Sequence, residues 1–161
     1  MSRRLASSAG AALLMIAFAS LASAQDRLSR LTPPEIDGLV QGGATAGTSG
    51  VAGIRTTILY GDPTKAGPYT IALRAPPNVR IAAHSHRDER TAVVVAGVWR
   101  FGYGAKADET LVKTLPPGSF YSEPAGVAHF AMTGPEGATV YISGYGPTST
   151  DYVEAANAPR P

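Results

Sequence analysis

The sequence predicts an all-β protein, a barrel or sandwich built as one domain. Three observations predict it. Beyond Gly53 the chain breaks into short runs rich in β-branched and aromatic residues, each closed by glycine or proline. No segment between Ile54 and Tyr152 keeps a helical period. A length of 161 residues suffices for one hydrophobic core and not for two ordinary ones.

The first 24 residues stand apart from that core. "MSRRLASSAGAALLMIAFASLASA" has a basic start (Arg3, Arg4), an apolar run from about Ala11 to Leu21, and small residues at Ala22 and Ala24. This is the layout of a cleaved secretory signal peptide, and it predicts a periplasmic or secreted protein beginning at Gln25. A membrane anchor is the weaker reading, because the run is about half of the ~20 residues a bilayer requires. Arg3-Arg4 hints at twin-arginine export, but Ala6 and Ser7 follow where bulky apolar residues are usual, so the route stays open between that and the general secretory path.

Removing this leader takes two arginines and no acid, so the fourteen basic side chains become twelve against twelve acidic ones. Scattered, balanced charge argues against nucleic acid or an anionic membrane as partner, since both need a basic stripe. The chain has no cysteine, so stability must come from packing and any metal site must use nitrogen and oxygen ligands.

Residues 25–53 read as an N-terminal arm. Gln25 to Ile36 is expected to hold a short helical turn stopped at Pro33-Pro34, and the segment Gln41 to Gly53, rich in Gly, Ala, Ser and Thr, is expected to be a flexible connection or a loop covering an edge. Residues 54–153 carry the strands. "IRTTILY" ends at Gly61-Asp62-Pro63, "YTIALR" at Pro76-Pro77, "TAVVVAGVWRFGYG" has Gly97 in its middle, and "TVYISGYG" ends at Pro147. Alternation puts Trp99, Phe101 and Tyr103 on one face, chiefly as interior packing. Residues 154–161 form a tail. "GYGAKADE" lacks the phosphate-loop pattern and no helix follows it, so nucleotide binding is rejected; no Ser-His-Asp arrangement emerges either.

The chemistry lies in the histidines. His84 and His86 in "RIAAHSH" share a face of a strand, and the third and last histidine, His129, follows the turn-rich "LPPGSFYSEPAGVA". A barrel can bring such strands together, and three imidazoles suit zinc, iron, nickel or copper better than magnesium or calcium.

These residues resemble the two motifs of the cupin superfamily, and the strand rhythm from Ile54 to Tyr152 is similar to it. Asn78, His84-Ser85-His86 and Gly97 follow the first motif, and Gly118, Pro124, Gly126 and His129 match the second position by position. Asn78 stands in place of the first glycine, and Thr133 in place of a closing asparagine. Arg90 stands where the family's carboxylate ligand is usual, and a guanidinium has no lone pair for a cation. Glu89, one place early, becomes a ligand only if a bulge turns it inward; Asp88 shares the parity of Arg90.

The resemblance implies a single antiparallel jelly-roll β-barrel with a divalent metal (Fe, Zn, Mn, Ni or Cu) at its centre, and a homodimer formed through the sheets. Three readings stay open. His84, His86 and His129 bind metal with an open position and Arg90 clamps an anionic substrate; or Glu89 or Asp88 completes the site; or the histidines are hydrogen-bonded interior residues without metal. The implied activity is that of an oxygenase, isomerase or lyase on a small carbonyl or carboxylate compound, with Arg90, Glu123 and Tyr103 as catalytic candidates. Glu123 would be a barrel-mouth acid or base against the commoner reading of a solvated turn carboxylate, and Tyr103 and Tyr121 hydrogen-bond donors against rim packing. The alternative is a small-molecule or metal-binding module without turnover.

Overall fold

A computed structural model describes residues 28–43 and 47–159; the expected signal peptide over residues 1–24 lies outside the described residues. Among the described residues no helix is long and apolar enough to cross a membrane.

Among the described residues one α-helix, α1 (Pro33–Asp37), precedes eight strands: β1 (Arg55–Tyr60), β2 (Gly67–Ala75), β3 (Arg80–Ser85), β4 (Arg90–Tyr103), β5 (Lys113–Leu115), β6 (Phe120–Glu123), β7 (His129–Gly146) and β8 (Asp151–Tyr152). Pro33 and Pro34 open the helix rather than stop it. Proline lacks only an N–H that the first turn leaves unpaired, and Glu35 reaches back to the Thr32 amide at 2.7 Å to close the cap.

All strand pairings are antiparallel. β7 is the hub: its long path pairs with β2, β3 and β4, while β4 in turn carries β5 and β6, and β1 flanks β2. Gly42 makes an isolated antiparallel bridge to Thr56 of β1.

Alternation fills the interior. Tyr69, Ile71, Leu73 and Ala75 of β2 face the same core as Val140 and Ile142 of β7. In β4, Arg90, Ala92 and Val94 are buried while Thr91, Val93 and Val95 are exposed. A register shift between Val94 and Ala96 then reverses the parity, so that Trp99 and Phe101 point inward. Gly97, in the left-handed region at φ 67°, lies where this strand passes β7, and a Cβ there would collide with the carbonyl oxygen of Gly137.

The two mild motif departures have local explanations. Asn78 takes φ 57°, the turn geometry expected of it, and it is the one non-glycine among the described residues to do so. The Thr133 hydroxyl donates to Pro76 O at 2.7 Å and accepts from the Val79 amide at 3.0 Å, so it ties β7 to the turn before β3.

Candidate metal centre

Two strand ends deliver three imidazoles to one place. His84 is the next-to-last residue of β3, His86 follows that strand, and His129 opens β7 as the cross-strand partner of His84. All three are buried. Ring centroids stand 4.5 Å apart for His84 and His129, and 5.0 Å for each of these with His86.

The backbone fixes which nitrogen of each ring faces the others. His84 Nδ1 lies 2.8 Å from Ala82 O, His86 Nδ1 2.5 Å from Ser149 O, and His129 Nδ1 3.1 Å from Val127 O. A carbonyl oxygen only accepts, so each Nδ1 carries the proton and donates it. Each neutral ring therefore keeps its lone pair on Nε2. Burial pushes His84 down to about 4, with the neighbouring His129 adding to it. His86 is driven lower still by burial and by Arg90, and burial lowers His129 against the pull of Glu123. The rings are thus neutral at physiological pH. Their ligating atoms lie within 4.8 Å of one another and could hold a metal ion.

The chemistry of this donor set fits a first-row cation. Nδ1–H to backbone carbonyl is the outer contact that orients a ligating imidazole, and His129 Nε2 is buried with no hydrogen-bond partner. Hydrogen-bonded interior histidines would account for one nitrogen of that ring and leave the other unsatisfied.

Arg90 and Glu123 occupy the same pocket. They are cross-strand partners on β4 and β6, 3 % and 4 % exposed. Arg90 Nε donates to Glu123 Oε2 at 2.5 Å, Nη2 pairs with the same oxygen, Nη1 donates to Gly47 O at 2.8 Å, and Nη2 also reaches His86 Nε2 at 2.5 Å. Burial alone would raise the Glu123 carboxyl, but the Arg90 guanidinium together with His129 and His84 outweighs that and holds it below its usual range. Glu123 is therefore no solvated turn carboxylate, and Arg90 points inward with its donors already engaged inside the protein. The sequence had no cue for that engagement, because the partner lies 33 residues away.

The remaining candidates fall elsewhere. Glu89 is exposed: β4 begins in regular alternation at Arg90 with no bulge to turn its neighbour inward. Asp88 is buried, but it accepts from Tyr69 Oη at 2.7 Å and Thr148 Oγ1 at 2.5 Å. Tyr103 is 47 % exposed at the end of β4 and donates to Ser122 O at 2.7 Å, so it does not share the buried face of Trp99 and Phe101.

Segments before β1 and after β7 cover the histidines. Tyr152 lies 5.5 Å from the His84 ring and donates to Ser49 O at 2.6 Å, while Ser149 holds His86. Gly47 packs so tightly on Thr148 that a Cβ would collide with its methyl group. Beneath this cover a cavity of about 20 Å³ is bordered by the three histidines, Arg90, Glu123, Trp99, Phe101 and Tyr121. That is room for a water or an ion. Trp99 Nε1 and Tyr121 Oη, both buried on residues lining it, make no close hydrogen bond, and Tyr121 interacts only loosely with Trp99 and Glu123.

Solved structures with the same architecture confirm the fold. The polyketide cyclase RemF from Streptomyces resistomycificus superposes with a TM-score of 0.65 at 16 % identity, over 82 % of this chain and 89 % of its own. A sugar phosphate isomerase from a cupin superfamily, from Silicibacter pomeroyi, gives 0.50 at 15 % identity, over 67 % and 69 %. This chain has the cupin fold. DMSP lyases RdDddP and RnDddQII also resemble it, with a TM-score of 0.54 at 16 % identity over 68 % of this chain and 57 % of that one. No family model matches the sequence, and no curated protein matches it. At such identities the likeness establishes the cupin-type jelly-roll β fold, and the three buried histidines of this chain could hold a metal ion within it.

Proposed function

We propose that this protein is an exported, metal-dependent cupin that binds a divalent cation through His84, His86 and His129 and acts on a small carbonyl or carboxylate compound, as an oxygenase, isomerase or lyase. The observation that carries this reading is the convergence of three buried Nε2 lone pairs, each fixed by a backbone carbonyl behind it, with that of His129 left unpartnered. When bound, such a cation polarises a substrate oxygen or activates water or dioxygen. Trp99 N–H and Tyr121 O–H, which make no close hydrogen bond, are the donors nearest to hand for that oxygen, and Phe101, stacked on His129 at 5.3 Å and tilted against Tyr121 at 4.3 Å, keeps the pocket wall apolar. The cyclase, lyase and isomerase among its structural neighbours support chemistry on small substrates. Export rests on the leader alone.

The cavity of about 20 Å³ favours a second reading, a cupin that holds metal or a small ligand without turnover. Metal analysis of protein purified without a histidine tag tests both. One stoichiometric metal, lost in His129→Ala, supports the metal site, and turnover of small carbonyl compounds then separates enzyme from binder. Metal-free protein that takes up no divalent cation at neutral pH refutes the metal-dependent reading.

A further inference from the structure

We infer that Glu123 supplies a fourth, carboxylate ligand to the metal site, and that Arg90 serves to anchor it there. The inference rests on the metal-binding reading of the three histidines.

Glu123 Oε2 lies 3.6 Å from His86 Nε2 and Oε1 lies 3.8 Å from His129 Nε2. Two ligand atoms sharing one first-row cation through bonds of about 2.0–2.2 Å stand about 3 to 3.5 Å apart, so the carboxylate needs to move only a few tenths of an ångström. Both pairs set acceptor against acceptor, because each Nε2 holds a lone pair. Between Oε2 and His86 Nε2 the Arg90 Nη2 intervenes and donates to both. Between Oε1 and His129 Nε2 no hydrogen bond intervenes, and that ring nitrogen is the orphan. Two acceptors held face to face in a buried pocket call for a cation.

Charge leads to the same residue. Three neutral imidazoles do nothing to offset a buried dication, and a carboxylate must. Asp88 is engaged by Tyr69 and Thr148, and Glu89 is exposed. Glu123 alone among these has oxygens at the histidines. Arg90 converges on Oε2, which fixes the carboxylate plane while Oε1 faces His129. On metal uptake Arg90 gives up only His86 Nε2 and keeps Glu123 and Gly47 O. Arg90 is thus a positioning residue, and the ligand that β4 lacks arrives from β6 across one pair of the ladder.

Co²⁺ titration of untagged protein, followed by its visible absorption and by metal analysis, tests this. Wild type should bind one ion, and Glu123→Gln should bind at least tenfold more weakly. Because that variant strands the Arg90 charge, two double variants that strand none accompany it. R90E/E123R returns a carboxylate to the centre and should bind within a fewfold of wild type, whereas R90Q/E123Q, without a carboxylate, should bind as weakly as Glu123→Gln. Equal affinity for the two folded double variants, or binding by Glu123→Gln within twofold of wild type, overturns the inference and leaves the three-histidine site standing. No uptake by wild type overturns both.

Discussion

Lowering the pH should unfold the metal-free protein, and the histidine pocket sets by how much. His84 titrates near 4 in the folded chain, and His86 lower still, against about 6.5 in an unfolded one. A group whose folded value lies below its unfolded value leaves stability intact above the unfolded value. As pH falls the unfolded chain takes up the proton first, and stability is lost until the folded value is reached. Each such group costs 1.36 kcal/mol per pH unit, so between pH 6.5 and 5 His84 and His86 together remove about 4 kcal/mol. His129 shifts in the same direction and adds to the loss. Glu123, held low by Arg90, also destabilises in acid, but only once the pH enters the carboxylate range. Against a typical total of about 5–15 kcal/mol, this is a large share. The assay is urea unfolding with a chelator present, at pH 7 and pH 5. The midpoint should fall steeply, and His84→Gln should lose a substantial part of the pH dependence. A flat or rising midpoint between pH 7 and 5 would show that the rings are not buried neutral, and the argument for three inward lone pairs would fail with it.

Three further outcomes are expected. Tyr69→Phe removes the hydrogen bond to Asp88 inside the barrel and should cost about 1.5–3 kcal/mol in urea unfolding, since the bond runs to a carboxylate. Gly97→Ala should cost more than about 2 kcal/mol, the left-handed strain of an alanine together with the collision on Gly137, read as a drop in melting temperature. Glu89→Ala and Tyr103→Phe, both at exposed positions, should leave Co²⁺ affinity within twofold and stability within about 0.5 kcal/mol.

The strands and the three histidines were legible because they depend on short-range pattern. Alternation with turn residues marks a strand wherever it packs, and His84 and His86 share a face by spacing alone. Pro33-Pro34 misled because proline punctuates a helix at both ends, and only the Thr32–Glu35 cap says which end this is. Tyr103 misled because alternation predicts a face but not where the barrel ends and solvent begins. The arm that closes the mouth was legible only as a segment poor in bulky residues. Its partners, Thr148 and Tyr152, lie about a hundred residues on, and composition carries no register.

Arg90 is the residue at which local reading and long-range structure part. A guanidinium facing the inside of a barrel cannot give up its charge and cannot stay unpaired, because a lone buried ion costs several kcal/mol. Parity fixes Arg90 inward, and the opposite strand must then supply an acid at the matching rung, which is where Glu123 stands. The pair is neutral as a unit and the imidazoles are neutral, so the pocket carries no net charge by itself. Even with Glu123 as a ligand, a dication among the histidines would leave the pocket, Arg90 included, with two net positive charges in a space bordered by Leu73, Ile81, Ala131 and Ile142. Hydroxide or a carboxylate would answer that excess better than a neutral carbonyl does. On this argument Arg90 shapes ligand choice without touching the ligand: by spending its own charge on Glu123, it leaves the charge of the metal to be met by an anion.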